Sequence, residues 1–147
     1  MRRAPLIALA LVFVLPGCGG GSSKALTKEE YAAKADAICG KYNQQTKALA
    51  SPKTLSDLAT VADQTLPILD HALKDFSKLQ PPVSEKALAD QWVAQVTNLK
   101  EDLQRIRDKA KTGDVKAVQQ VVPRAQDDNS RSNQLATKLG MSVCNKN

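Results

Sequence analysis

The longest break in the apolar pattern of the C-terminal half is the polar run from Gln126 to Asn133. Continuing the helical apolar stripe through this run places Asp128 or Asn129, and then Ser132, where a core residue is expected. A buried carboxylate or hydroxyl needs a hydrogen-bonding partner or water. The run therefore indicates either a polar site inside the fold or a stretch of helix that faces solvent.

Three more side chains are candidates for such a site. In an antiparallel bundle, helix rise brings Tyr42, His71 and Trp92 to heights close to those of Asp128 and Ser132. We therefore predict a small-ligand pocket formed by Asp128, Ser132, Tyr42 and His71, with Trp92 as an apolar wall. The alternative is that Tyr42 and Trp92, at apolar spacing, are core residues and that His71 is a solvated side chain.

These residue types do not form a recognisable catalytic or metal centre. Ser132, His71 and an aspartate would come from different helices, with no motif and no oxyanion loop. A single histidine without a ligand cluster does not indicate a metal or haem site. Aromatic residues are 3% of the chain and no basic stripe accompanies them, which argues against nucleic-acid binding. We expect no enzymatic activity, no cofactor and no metal.

Four amphipathic helices must position the candidate residues, since no segment shows the strict alternation of a strand. Start and stop signals give the boundaries. In order, they are the capping box Thr27-Lys28-Glu29-Glu30 and Ser51-Pro52, then Thr54 or Ser56 and Pro81-Pro82, then Ser84 and Gly113, and finally Asp114 and Gly140. Short connections between long helices predict an all-α, up-down-up-down four-helix bundle over residues 27–147.

The apolar stripes define the expected core. The most regular stripe, in the third helix, consists of Leu88, Trp92, Val96, Leu99, Leu103, Ile106 and Ala110. In the fourth helix, the residues expected to face inward are Val115, Val118, Val121, Val122 and Ala125. Pro67 and Pro123 fall inside the second and fourth helices at a similar height, and each should kink its helix. Kinks at one level would splay the bundle and open a cavity beside the polar run.

The N-terminus has the pattern of an export signal. Met1-Arg2-Arg3 is followed by 13 uncharged, mostly apolar residues, Ala4 to Pro16, which is short for a membrane span. Leu15-Pro16-Gly17-Cys18 then resembles a bacterial lipobox, and Gly19-Gly20-Gly21-Ser22-Ser23 suits a flexible linker. The resemblance implies a signal peptide over residues 1–17, lipid on Cys18 and a linker over residues 18–26. The alternative is an N-terminal helix or an uncleaved anchor.

The lipobox resemblance also bears on the three cysteines and on the charge. Lipidation of Cys18 would leave Cys39 and Cys144 as an even pair in an oxidising compartment, where a disulfide is expected. The rival, a reactive or metal-binding thiol pair, lacks neighbouring ligands at suitable spacing. Loss of Arg2 and Arg3 leaves 19 basic against 15 acidic residues, a formal charge of +4, which favours loose association with anionic headgroups.

A second resemblance concerns the first helix and the C-terminal tail. Thr27-Lys28-Glu29-Glu30-Tyr31, Ala35-Asp36-Ala37-Ile38-Cys39 and a late cysteine after Leu139-Gly140 are similar to a group of small secreted or lipid-anchored helical proteins of actinobacteria. The resemblance implies an exported protein and supports the Cys39–Cys144 pair. It implies no reaction.

Two functions follow from these expectations. The first is a lipid-anchored domain on the extracytoplasmic face of the cell membrane that binds another envelope protein or cell-wall material. The second is a carrier of a small apolar or amphipathic ligand within the bundle. The first predicts a contiguous exposed apolar patch, and the second predicts a cavity of several hundred cubic ångströms lined by Asp128, Tyr42 and Trp92.

Overall fold

The structure, a computed structural model, describes residues 25–146. The signal peptide, Cys18 and most of the linker lie outside these residues. Four helices follow one another, α1 (Lys28–Lys47), α2 (Leu55–Phe76), α3 (Lys86–Lys111) and α4 (Val115–Lys138), with 3₁₀ turns at Val83–Glu85 and Cys144–Lys146. No strand occurs in the described part of the chain, and the all-α prediction is confirmed.

Thr27 and Asp114 cap α1 and α4 as the sequence indicates, and α2 uses Thr54, one of its two candidates. Thr27 and Thr54 each accept a hydrogen bond from the backbone three residues on, and each helix returns a carboxylate bond to complete a capping box. Asp114 caps α4 by accepting from the backbone N–H of Ala117 at 2.9 Å. Gly113 and Gly140 follow α3 and α4 with positive φ angles of 73° and 81°, which is where glycine is favoured.

The start of α3 differs from the prediction. Ser84 lies inside the 3₁₀ turn Val83–Glu85, and α3 begins at Lys86 without any side-chain cap. Pro82 precedes the turn in an extended conformation, and the backbone N–H of Glu85 bonds to the Pro82 carbonyl at 3.0 Å. The 3₁₀ turn satisfies the backbone N–H of Glu85, and Ser84 does not cap α3.

Helix α3 is the centre of the bundle and packs along both α2 and α4. Helix α1 packs against α2 and against the C-terminal segment (residues 141–146), but it has little backbone contact with α4. Successive helices are therefore neighbours, as the up-down-up-down topology requires. The described helices include none that is long and apolar enough to cross a membrane.

The apolar core has two parts. The larger part, called the upper core, contains residues of all four helices and of the C-terminal segment. Tyr31, Trp92 and Leu139 are among its most buried residues. The smaller part, called the lower core, contains residues of α2, α3 and α4 only, around Ala59 and Ile106. One residue of the expected stripe is misplaced: Val115 is 50% exposed, because it is the first residue of α4 and lies at the end of the bundle.

The prolines lie inside continuous helices, Pro67 in α2 and Pro123 in α4. Both side chains are exposed. The opening in the bundle lies between α1 and α4, the two helices with little mutual contact, and α1 has no residue in the lower core. The separation of α1 from α4 is therefore sufficient to account for a cavity at this level.

Candidate functional site

A cavity of about 560 Å³ lies between α1 and α4, with α2 and α3 forming its floor. It is lined by Cys39, Tyr42, Asn43, Thr46, Lys47, Leu69, Ala72, Phe76, Trp92, Val96, Leu99, Leu103, Ile106, Ala125, Asn129, Ser132, Asn133, Cys144 and Lys146. Its size is within the range of small-molecule pockets, about 300–1,000 Å³. Lys47 and Lys146 are exposed, so the cavity reaches the surface at this rim.

The floor of the cavity is apolar and buried. Trp92 is 1% exposed and meets Phe76 edge to face, with ring centroids 4.7 Å apart. The indole Nε1–H is buried and has no acceptor within residues 25–146. Below the rings, the α3 stripe continues the floor with Val96, Leu99 and Leu103. Such a surface favours the hydrocarbon part of a ligand.

Tyr42 is held in the cavity wall by a hydrogen bond outside it. The phenol Oη donates to Asp75 Oδ2 at 2.7 Å, and Lys78 Nζ donates to Asp75 Oδ1 at 2.6 Å. The Lys78 bond and then the Tyr42 bond hold the pKa of the Asp75 carboxyl well below its ordinary value. This charge-assisted hydrogen bond orients the Tyr42 ring in the cavity wall.

The polar run of α4 is half inside the protein. Asp128 and Ser132 are buried, at 7% and 4% exposure, and Asn129 and Asn133 are half-buried. The four remaining residues of the run, Gln126, Asp127, Ser130 and Arg131, are exposed. Ser132, Asn129 and Asn133 line the cavity. The run therefore supplies one polar wall of the cavity and one solvated helix face.

Two predicted pocket residues lie elsewhere. His71 is exposed on α2 and is not part of the cavity lining, so the structure does not bring it together with Ser132. Helix rise predicts the height of a residue along the bundle but not the direction of its side chain around the helix axis. Ala72, the next residue, faces the cavity instead.

Asp128 is buried at the α3–α4 interface and does not line the cavity. Its carboxylate lies 3.8 Å from Arg124 Nε, and Arg124 Nε is also 3.3 Å from Asp102 Oδ1. Asp102 is fully buried and accepts a 2.8 Å bond from Arg105 Nη1. The sequence analysis did not predict this cluster. Asp102 lies on the same helix face as Leu99 and Ile106, so its spacing could have predicted that it is buried.

The C-terminal segment closes the cavity at one end and is covalently attached to α1. Cys39 and Cys144 form a disulfide with an S–S distance of 2.08 Å, and both line the cavity. Asp36, one turn before Cys39, accepts bonds of 2.7–3.0 Å from the backbone N–H groups of Ser142, Val143 and Cys144. The Ser142 hydroxyl adds a fourth bond at 2.9 Å.

The Asp36 bonds give a pH-dependent prediction. Partial burial acts to raise the pKa of Asp36, but the bonds from Ser142, Cys144 and Val143 outweigh it and lower the pKa. The stabilisation is therefore complete above the ordinary aspartate pKa of about 3.9 and is lost as the pH falls through the lower folded-state pKa. We expect Asp36→Asn to cost about 1–3 kcal/mol at pH 7 and less at pH 2, measured by urea unfolding.

The control for Asp36→Asn is Asp127→Asn. Asp127 is exposed on α4 and lies outside both the cavity and the C-terminal segment. Its substitution should change the unfolding free energy by no more than about 0.5 kcal/mol at either pH. An equal loss for both variants, or a loss at Asp36 that does not shrink in acid, would contradict the assignment.

Within residues 25–146 no group of three or more histidine, cysteine, aspartate or glutamate side chains is placed to hold a metal ion. The cavity has polar groups on the α1 and α4 sides, apolar groups on the α2 and α3 sides, and a lysine-lined mouth. Comparison of the chain with protein-family models, with curated proteins and with solved structures gives no match.

Proposed function

We propose that the protein binds a small apolar or amphipathic ligand in the cavity between α1 and α4, on the extracytoplasmic side of a membrane to which the lipid on Cys18 tethers it. The cavity is the observation that carries this proposal. It has a size suited to one small molecule, an apolar floor around Trp92 and polar groups on one wall.

Docking to another envelope protein or to cell-wall material, the other function expected from the sequence, has less support. Among the described residues, the large hydrophobic side chains that are well exposed are Val83 and Val115. They precede and follow α3, whose 26 residues separate them by roughly 40 Å. Two isolated side chains at opposite ends of a bundle do not make an apolar docking patch.

Trp92 provides a direct test, because it is the only tryptophan of the chain and lines the cavity. We expect 1-dodecanol to change the Trp92 emission in a saturable way, with one molecule bound per chain. The same ligand at about 100 times its Kd should stabilise the fold by about 2.7 kcal/mol, measured as a rise in Tm.

A cavity-filling substitution provides the matched comparison. Ala125 is half-buried on α4 and lines the cavity, whereas Ala94 is exposed on α3 and does not. Ala125→Phe should weaken dodecanol binding at least about tenfold, since the added ring occupies the site. Ala94→Phe adds the same ring outside and should bind as the original protein does. Equal binding by both variants would sink the proposal.

The membrane address is tested by intact mass of the protein from its native host. We expect a chain that begins at Cys18, carries acyl groups and gains two hydrogen atoms on reduction of the Cys39–Cys144 bond. Processing at Cys18 would leave the bundle attached to the lipid through the Gly/Ser segment that follows Cys18. A mass that retains Met1, or one that starts elsewhere without lipid, would contradict the anchor while leaving the cavity proposal intact.

A further inference from the structure

The charged residues that line the cavity are all of one sign. Lys47 and Lys146 are the two charged residues among those that line it, and no aspartate or glutamate of the described chain is part of the lining. Both lysines are exposed, so both ammonium groups belong to the mouth and not to the apolar floor. A ligand that places a negative charge at this mouth would gain attraction without having to desolvate a buried ion pair.

The two lysines come from different elements, both of which line the cavity. Lys47 is in the last turn of α1, and Lys146 ends the 3₁₀ turn that the Cys39–Cys144 disulfide holds against α1. The C-terminal end of α1 contributes roughly half a negative charge, which works against an anion. Two full positive charges exceed it, so the field at the mouth favours a negatively charged group.

The neutral polar groups of the lining lie between the charged mouth and the apolar floor. Asn43 and Thr46 on α1 and Asn129 and Asn133 on α4 are half-buried on either side of the opening. Their amides and hydroxyl are able to hydrogen-bond a polar head. Opposite them, the floor around Trp92 offers hydrocarbon, aromatic rings and a buried surface.

We propose that the ligand is a single-chain carboxylic acid whose carboxylate lies at the mouth between Lys47 and Lys146 and whose hydrocarbon chain occupies the apolar floor. This inference rests on the proposed binding function and names its ligand class. A carboxylate suits the mouth better than a phosphate, because it has two oxygen atoms to satisfy and not three, and the mouth offers two lysines without an arginine or a helix N-terminus.

The test compares ligands that share one chain and differ in the head. Dodecanoic acid, 1-dodecanol, dodecyl phosphate and dodecyltrimethylammonium are titrated into the protein at pH 7.5 and low salt, with Trp92 emission as the readout. We expect the acid to bind about five- to tenfold more tightly than the alcohol and more tightly than the phosphate, and the cation to bind most weakly. The preference for the acid should shrink as salt is added.

A charge-matched pair of variants separates the mouth from the overall charge. Lys47→Gln/Lys146→Gln should bring the acid and the alcohol to nearly equal affinity while leaving alcohol binding unchanged. Lys34→Gln/Lys116→Gln removes the same two charges from exposed positions on α1 and α4 outside the lining and should keep the preference.

The outcomes distinguish this inference from the function on which it rests. Equal binding of acid and alcohol by the original protein, or tighter binding of the cation, overturns the inference while the cavity proposal stands. Tighter binding of dodecyl phosphate overturns the choice of a carboxylate. Absence of saturable binding for all four ligands overturns the proposed function itself.

Discussion

Removing the disulfide should lower the free energy of unfolding by about 4–5 kcal/mol. The bond joins residues 105 positions apart, and a loop of that length constrains the unfolded chain strongly. We expect this loss for the Cys39→Ala/Cys144→Ala variant and for the original protein under a reductant, measured by urea unfolding. A loss of this size is a large fraction of the stability of a small domain.

The control for the disulfide is Cys18→Ser. Cys18→Ser keeps the Cys39–Cys144 bond, so the variant should have the unfolding free energy of the original protein without reductant and the same loss as the original protein with reductant. A loss below about 1 kcal/mol for the Cys39/Cys144 variant, or a comparable loss for Cys18→Ser, would contradict the pairing and its role. Because Cys144 and Lys146 line the cavity, the disulfide variant should also bind dodecanol more weakly.

Removing both arginines that pair with the buried Asp102 should cause the second largest loss of unfolding free energy. Asp102 is fully buried, and Arg105 and Arg124 both pair with its Oδ1. Its Oδ2 is buried and accepts no hydrogen bond from the described residues. Arg105→Ala/Arg124→Ala leaves a carboxylate in the α3–α4 interface without a counter-charge. We expect a loss of about 3–4 kcal/mol in urea unfolding at pH 7.

We attribute this loss to the unpaired buried carboxylate of Asp102 and not to the lost attraction between the charges. A third substitution tests this explanation. Asp102→Ala in the background of the two arginine variants removes the buried charge and should restore about 2 kcal/mol. Arg131→Ala, an exposed arginine on the same helix as Arg124, should cost no more than about 0.5 kcal/mol. A triple variant as unstable as the double variant would contradict this account.

The sequence by itself determined the elements of the fold. Capping boxes at Thr27 and Thr54, the cap at Asp114 and the glycine after each of the last two helices are local signals, because each acts through hydrogen bonds or dihedral angles within a few residues. The apolar stripe of α3 is equally local, since its period follows from the helix alone. Two predictions about these elements are wrong, the Ser84 cap and the burial of Val115, and both concern the start of a helix.

The tertiary structure decided which polar residues share the cavity. Helix rise fixed the heights of His71 and Asp128, but their directions around the helix axis depend on how each helix is rotated against its neighbours. The rotation turns His71 to solvent and buries Asp128 beside Arg124, while Tyr42, Trp92 and Ser132 reach the cavity.

The tertiary structure also decided that there is a cavity at all. Its walls depend on the separation of α1 from α4 and on the return of the C-terminal segment to α1, where four hydrogen bonds to Asp36 and the Cys39–Cys144 bond hold it. These contacts join residues more than 100 positions apart. The cysteine count predicted the Cys39–Cys144 bond, which the structure confirms, but no local pattern encodes the hydrogen bonds to Asp36. Side-chain periodicity specifies which face of a helix is buried, whereas only packing specifies which faces meet and where they leave space.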